Sequence, residues 1–207
     1  HGDDKGIIMP PNIAPIQIII IPILVKGKEK DVDKQCKEVL DRLKKMGLRV
    51  QYDSSDKSPG FKFNEWEMKG VPVRIEIGPK DIEAKSVTVV RRDSGQKVQV
   101  KEKNLIEINK ILDEMFEAMK VKAQKEFDSR LSTCSSMKEA EKHIEKGFVR
   151  ANFCSLSKEG EKCAEKVEKE LGAKVRGVLF NKNEKPFGAC IACGSEGKHV
   201  VYLAKAY

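Results

Sequence analysis

The sequence predicts an α/β chain in two parts: a mixed five-stranded sheet flanked by helices, then a smaller α+β domain. Three observations carry this. Residues 13–25 (IAPIQIIIIPILV) are almost continuously apolar and β-branched, which suits a strand buried on both faces. A helical pattern from Asp31 to Met46 and a short strand from Arg49 to Tyr52 follow, the spacing of a right-handed crossover. Residues 86–92 and 97–101 then alternate around Arg92-Asp93-Ser94-Gly95, the signature of an antiparallel hairpin.

Taken in order, residues 1–14 hold glycines, acids and the Pro10-Pro11 pair and read as a connector. Pro15 and Pro22 mark the ends of the first strand. Val32, Cys36, Val39, Leu40, Leu43 and Met46 form one face of the next helix, with Gly47 as its stop. After a polar loop comes the stretch SPGFKFNEWEMKGVPVRIEIGPKD, residues 58–81, which holds the chain's single Trp. Phe61, Phe63 and Trp66 sit on a short helical turn, with Phe61 and Trp66 assigned to the core. Gly70-Val71-Pro72 breaks that turn, and Val73, Ile75 and Ile77 alternate with Arg74 and Glu76 as a half-buried strand. Gly78 to Asp81 reads as a turn. From Leu105 a long helix carries Ile108, Ile111, Leu112, Met115, Phe116 and Met119 on one stripe, and it closes the first domain, residues 15–131. The second domain, residues 132–207, has a short helix after the Ser136–Glu139 capping spacing and a strand from Phe148 to Phe153. A helix from Ser157 to Leu171, a strand from Lys174 to Phe180 and a closing strand from His199 to Ala204 follow.

The chain carries 40 Lys/Arg against 32 Asp/Glu, a net +8. That balance suits a polyanion partner, although the charges are interspersed and also suit a solvated lysine-rich surface. The longest apolar run, Ile18 to Val25, is too short to span a bilayer, and no secretory leader is visible. A soluble protein is expected. The chain begins at His1, not Met, which reads as a cut inside a longer protein. His1, His143 and His199 are scattered, and no glycine-rich phosphate loop is present, so no catalytic set can be assembled.

Two constellations carry chemistry. Cys154, Cys163, Cys190 and Cys193 fall within 40 residues, and Cys190-Ile-Ala-Cys193-Gly194 has the form of a zinc knuckle. Four thiolates make a closed tetrahedral site, structural in role. The alternatives are free buried thiols, a histidine (His143 or His199) in place of one ligand, or a redox pair at Cys190 and Cys193. The second constellation is Phe63, Glu67, Arg74, Lys80 and Asp81. An aromatic ring can stack on an unpaired base while carboxylate and cationic groups read its edge. Guanine suits such a set, offering N1–H and N2–H donors and O6 and N7 acceptors. The competing reading places the aromatics in the core and leaves the charges in solvent.

The string SPGFKFNEWEMKGVPVRIEIGPKDIE closely resembles the anticodon-binding domain of the prolyl-tRNA synthetase family, in its archaeal and eukaryotic type. HGDDKGIIMPPNIAPIQIIIIPI resembles that family's exit from the catalytic domain, and the cysteine-bearing C-terminal domain and final Ala-Tyr fit as well. The resemblance covers essentially the whole chain. It implies the class II anticodon-binding fold followed by a zinc-binding module, with Zn²⁺ on Cys154, Cys163, Cys190 and Cys193. It implies that Phe63 stacks on, Glu67 and Arg74 read, and Lys80 and Asp81 help select the two guanines of the proline anticodon. The partners implied are proline tRNA, proline, and ATP with Mg²⁺, in a cytoplasmic enzyme that forms a homodimer through its catalytic domain. The class II catalytic motifs would lie before His1, so these residues alone are expected to be inactive. The Tyr207 carboxylate is given a positional role. A free-standing RNA-binding or accessory protein on the same fold is the alternative, and a thiol redox protein a third class.

Overall fold

The computed structural model describes residues 1–206; the expectation for the Tyr207 carboxylate lies outside them. The chain divides into two compact units, His1–Lys122 and Ala123–Tyr207. The division falls inside a long helix, Glu107–Ser129.

The first unit opens with a small hairpin of β1 (Gly2–Asp3) and β2 (Gly6–Ile7). There follow β3 (Ile18–Pro22), α1 (Glu29–Lys45), β4 (Val50–Tyr52), α2 (Pro59–Met68), β5 (Val73–Ile77), α3 (Pro79–Glu83), β6 (Ser86–Arg91), β7 (Lys97–Lys101) and α4 (Glu107–Ser129). The sheet order is β4-β3-β5-β6-β7, parallel over the first three strands and antiparallel over the last two pairings. This is the mixed five-stranded sheet that the sequence predicts. Strand β3 is central and buried throughout, which is why its sequence shows no alternation. One face of the sheet (Ile18, Ile20, Ile75, Val87, Val89) packs on the α1 stripe of Val32, Cys36, Val39 and Leu43 and on Ile108 and Leu112 of α4. The other face is covered over β3, where Ile19 and Ile21 meet Trp66, Val71 and Phe63.

Helix α2 is fixed by a buried polar hub. Asp53 follows β4, and its amide donates to the carbonyl of Ile20 at 3.0 Å. Its carboxylate accepts from Trp66 Nε1 at 2.7 Å and from Ser55 Oγ at 2.6 Å. Lys62, 2% exposed, donates to the Asp53 carbonyl and lies 3.7 Å from its carboxylate. A charge removed from water persists only when it is paired and hydrogen-bonded, and each partner here meets that need for the other. Burial pushes the Asp53 carboxyl up, but the hydrogen bonds from Ser55 and Trp66 outweigh it and hold it below the usual range.

Four expectations are corrected. Residues 2–7 are not plain connector: the hairpin is seated on the end of α2. Gly70 has φ +73°, and a Cβ there would lie 2.8 Å from the carbonyl of Ile7. Arg92 clamps the hairpin with a bidentate pair to Asp3 at 2.6 and 2.8 Å. The Gly78–Asp81 turn is the start of helix α3, whose Asp81 carboxylate accepts from the amide of Gly78 at 2.9 Å. Phe61 is 55% exposed under the ammonium of Lys57, because Lys62 and Trp66 define the inward face of α2.

The second unit holds β8 (Leu131–Thr133), α5 (Met137–His143), β9 (Phe148–Phe153), α6 (Glu161–Leu171), β10 (Ala173–Gly177) and β11 (His199–Lys205). Its sheet order is β10-β11-β9-β8, antiparallel except between β8 and β9. The core joins Val149, Ala151, Val201 and Leu203 to Ala140, Ile144, Val167 and Leu171. The fourth correction is here: β10 stops at Gly177, and Phe180 is 98% exposed.

Asp53→Ala would leave Trp66 Nε1 and Lys62 buried without their carboxylate. We expect a loss of about 3–5 kcal/mol from the first unit, read by urea unfolding through the fluorescence of Trp66. Because the folded Asp53 pKa is depressed, its contribution is full above the usual carboxylate value. It is lost as pH falls through the folded value.

Candidate nucleic-acid interface and metal centre

The five candidate readers all lie in the first unit, on α2, β5 and α3. Glu67 is at the C-terminal end of α2 and Arg74 on the strand that follows Gly70. Glu67 Oε1 accepts from Arg74 Nη1 at 2.7 Å. Glu76 accepts from Arg74 Nε at 3.0 Å, and Arg74 Nη2 lies 3.0 Å from the same oxygen. The Arg74 guanidinium stacks on the Phe63 ring, 4.0 Å from its centroid. Phe63, Glu67 and Arg74 therefore form one cluster, partly exposed, with the ring and the carboxylate each in contact with the guanidinium. Lys80 is exposed on α3. Asp81 engages both carboxylate oxygens: one caps α3, and the other accepts from Thr88 Oγ1 at 2.8 Å and Gln99 Nε2 at 3.4 Å. A cavity of about 210 Å³ opens beside Glu67 and Arg74, walled by Asp3, Lys5, Arg92 and Asp93. It is smaller than the roughly 300–1,000 Å³ of drug-sized ligand sites.

Sequence reasoning missed Asp53 and Lys62, which hold α2 in place. Their sequence signal was an acid directly after a strand and a lysine four residues before the only tryptophan.

In the second unit, Cys154 follows β9 and Cys163 lies in the first turn of α6. Cys190 and Cys193 lie in the long connection from β10 to β11. The four sulfurs all lie within 4.8 Å of one another, and Cys154 and Cys163 are 3.6 Å apart. A tetrahedron with metal–sulfur bonds of 2.3 Å has edges of about 3.8 Å, so the set fits a tetrathiolate ion with small adjustment. The knuckle is held by its backbone: the Gly194 amide donates to the Cys190 carbonyl, and the Cys190 amide to the Ser195 carbonyl. Gly194 has φ +76°, a conformation open to glycine. Lys166 of α6 donates to the carbonyl of Ala192 at 2.8 Å. Burial pushes the Cys154 and Cys163 thiols up, while hydrogen bonds from Ser195 bring Cys193 down to about 6. His143 and His199 are not in the cluster, and Cys36 and Cys134 are buried apart from it.

Two family models match. One, described as "Anticodon binding domain", covers residues 17–111, and the other, "Prolyl-tRNA synthetase, C-terminal", covers residues 137–207. The whole chain aligns with curated proteins named proline–tRNA ligase. It is 40% identical to that of Methanosarcina mazei, 42% to that of Clostridium novyi and 44% to that of Alkaliphilus oremlandii. The chain joins an anticodon-binding domain to a prolyl-tRNA synthetase C-terminal domain. The solved structure of Cryptosporidium parvum prolyl-tRNA synthetase, complexed with L-proline and AMP, superposes with a TM-score of 0.88 at 34% identity over 100% of this chain. The chain spans 42% of the length of those three curated relatives and 44% of that solved chain. Among the described residues, no helix is long and apolar enough to cross a membrane.

Titration with Co²⁺, a coloured stand-in for a thiophilic ion, is expected to saturate at one ion per chain with a thiolate charge-transfer band. Cys163→Ser should weaken or abolish that band, while Cys36→Ser, in the other unit, should leave it. Binding must weaken as pH falls, because protons compete for the four thiolates.

Proposed function

We propose that this chain is the tRNA-selecting portion of an enzyme that joins proline to its tRNA with ATP and Mg²⁺. The observation that carries the reading is the Phe63–Glu67–Arg74 cluster, held on a fold that matches proline–tRNA ligases along its whole length. In this reading the chemistry belongs to the remainder of the enzyme, a cytoplasmic homodimer joined through its catalytic domain, and this portion supplies recognition.

An unpaired guanine presents N1–H and N2–H to a carboxylate and O6 and N7 to a guanidinium. Glu67 and Arg74 offer those groups side by side, already aimed at one another. The Glu67–Arg74 pair is partly exposed, with side chains 26% and 11% accessible. A good bidentate base contact contributes about 1–3 kcal/mol of discrimination against the wrong base. On binding, the base takes the place of each partner of the pair. Phe63 gives the base a stacking surface at its exposed side, since Arg74 covers one ring face. Lys80 is free to meet a phosphate or a base edge. Asp81, which caps α3, sets the position of Lys80 beside it.

In the second unit we propose a structural Zn²⁺ on Cys154, Cys163, Cys190 and Cys193. When bound, it supplies a rigid crosslink between β9, α6 and the knuckle. All four thiols are used, so no position is left for substrate.

Arg74→Ala and Glu67→Ala are each expected to reduce discrimination between proline tRNA and a transcript with its anticodon guanines replaced, by about 1–3 kcal/mol. Filter binding to the two RNAs measures it. Equal ratios in wild type and both variants would overturn the assignment.

A further inference from the structure

The register of the sheet places more polar side chains on the readers' face than the five already named. Arg74 is opposite Val90, and Val90 opposite Lys97; Glu76 is opposite Thr88, and Thr88 opposite Gln99. These residues share the face that α2 covers over β3. Two hydrogen-bonded chains cross it. One runs Glu67–Arg74–Glu76–Lys97, with Lys97 Nζ 3.3 Å from the Glu76 carboxylate. The other runs Asp81–Thr88–Gln99, with Gln99 Nε2 donating to Thr88 Oγ1 at 2.7 Å. Both end on β7, where Lys97 and Gln99 are exposed.

Glu76 and Lys97 differ in what they are free to do. Glu76 is 9% exposed and grips the Nε and Nη2 side of the guanidinium, leaving the Nη1 end to Glu67 or a ligand. A guanidinium held along one edge keeps its plane, which bidentate recognition needs. The Lys97 side chain is 58% exposed on a flexible stem, and its pair with Glu76 is long. Such a pair opens at little cost.

We propose that the RNA surface extends across the sheet to β7, with Glu76 as a positioning residue that aims Arg74 and Lys97 as a contact to the RNA backbone. This rests on the anticodon reading above. Phosphate contacts set affinity and its salt dependence without sequence preference, while base contacts set the ratio between sequences. The two residues are therefore separable by measurement. The whole chain is titrated with proline tRNA and the guanine-replaced transcript over a range of KCl concentrations, with Trp66 fluorescence checking the fold of each variant. Lys97→Gln is expected to weaken both RNAs equally and to flatten the log–log salt slope by about 0.7–0.9. Glu76→Gln is expected to lower the ratio between the RNAs by about 5- to 10-fold at unchanged slope. A wild-type slope in Lys97→Gln overturns the extension to β7. Equal weakening of both RNAs in Glu76→Gln overturns the positioning role, because a residue that only holds the sheet would act so. Lys97 is exposed, so its variant tests the surface even where Glu76→Gln loosens the fold. If the wild type itself does not discriminate, the anticodon reading fails and this proposal with it. Discrimination lost in Arg74→Ala but kept in Glu76→Gln, with the slope kept in Lys97→Gln, removes this proposal alone.

Discussion

The first unit depends on a carboxylate that has no business in a core unless it is fully engaged. Asp53 sits where β4 ends, and three side chains converge on it: the Trp66 indole, the Ser55 hydroxyl and the Lys62 ammonium. Two of the three come from α2, one turn apart. The helix is thereby fixed in rotation as well as position. Rotation matters because the next residue after Trp66 is Glu67, and Phe63 follows Lys62. A helix packed only through apolar contacts could slide or turn by a fraction of a residue at small cost. A buried salt-bridged hub does not allow that, since any shift strands a charge or a donor. Glu67 and Phe63 thus inherit their aim from side chains that never face solvent.

The cluster proposed for recognition has the same logic one layer out. In the absence of RNA its charged groups are paired with one another, so none is left to collapse onto a wrong partner. The pairs are graded by exposure: Arg74–Glu76 is the more sheltered, Arg74–Glu67 the less, and Lys97–Glu76 the most open at the lysine. A ligand meets the weakest links first. In the proposed reading, preorganisation of this kind lowers the ordering cost of binding, and it adds specificity because a base lacking the right donors leaves Glu67 and Arg74 better off with each other.

Much of this was legible in the sequence. The β-branched run of β3, the three-four stripe of α1 and the alternation of β5 each map onto their elements, since burial on two faces, one face and alternate faces leaves distinct patterns. The Cys190–Cys193 knuckle was legible for the same reason, its chemistry being local. What failed was non-local or too short. The β1–β2 hairpin has strands of two residues and is held by Arg92, some 89 positions away. Helix α3 is five residues long and begins Gly-Pro, which reads as a turn. Phe61 was assigned to the core because an aromatic outranks a lysine on any hydrophobicity scale. Asp53 reverses that ranking by demanding a cation inside, and the only hints of it are an acid directly after a strand and the Lys62–Trp66 spacing.

The second unit raises a different question, namely how residues 178–198 stay ordered. A connection of roughly 20 residues with no strand or helix is uncommon in a compact domain unless something pins it. Besides the Lys166–Ala192 bond, three attachments stand out. Glu184 accepts from Arg150 of β9 at 2.9 Å and from Tyr202 of β11 at 2.8 Å. The Phe187 amide donates to Asn152 Oδ1, and the Ile191 amide to the Asn152 carbonyl. The last is the pair Cys190 and Cys193, drawn to Cys154 and Cys163. The Glu184 bonds are charge-assisted, worth about 1.5–3 kcal/mol each, and the Asn152 bonds about 1 kcal/mol net apiece. Ordering the connection costs on the order of 1–2 kcal/mol per residue in backbone entropy, far more than those bonds return. In the proposed reading a tetrathiolate ion offsets part of that cost, because its binding free energy is itself folding free energy. The loose spacing from Cys154 to Cys163 then has a physical reading. The site needs one ligand at a strand end and one on the helix that packs beside it, and the connector between them sets the spacing rather than the metal.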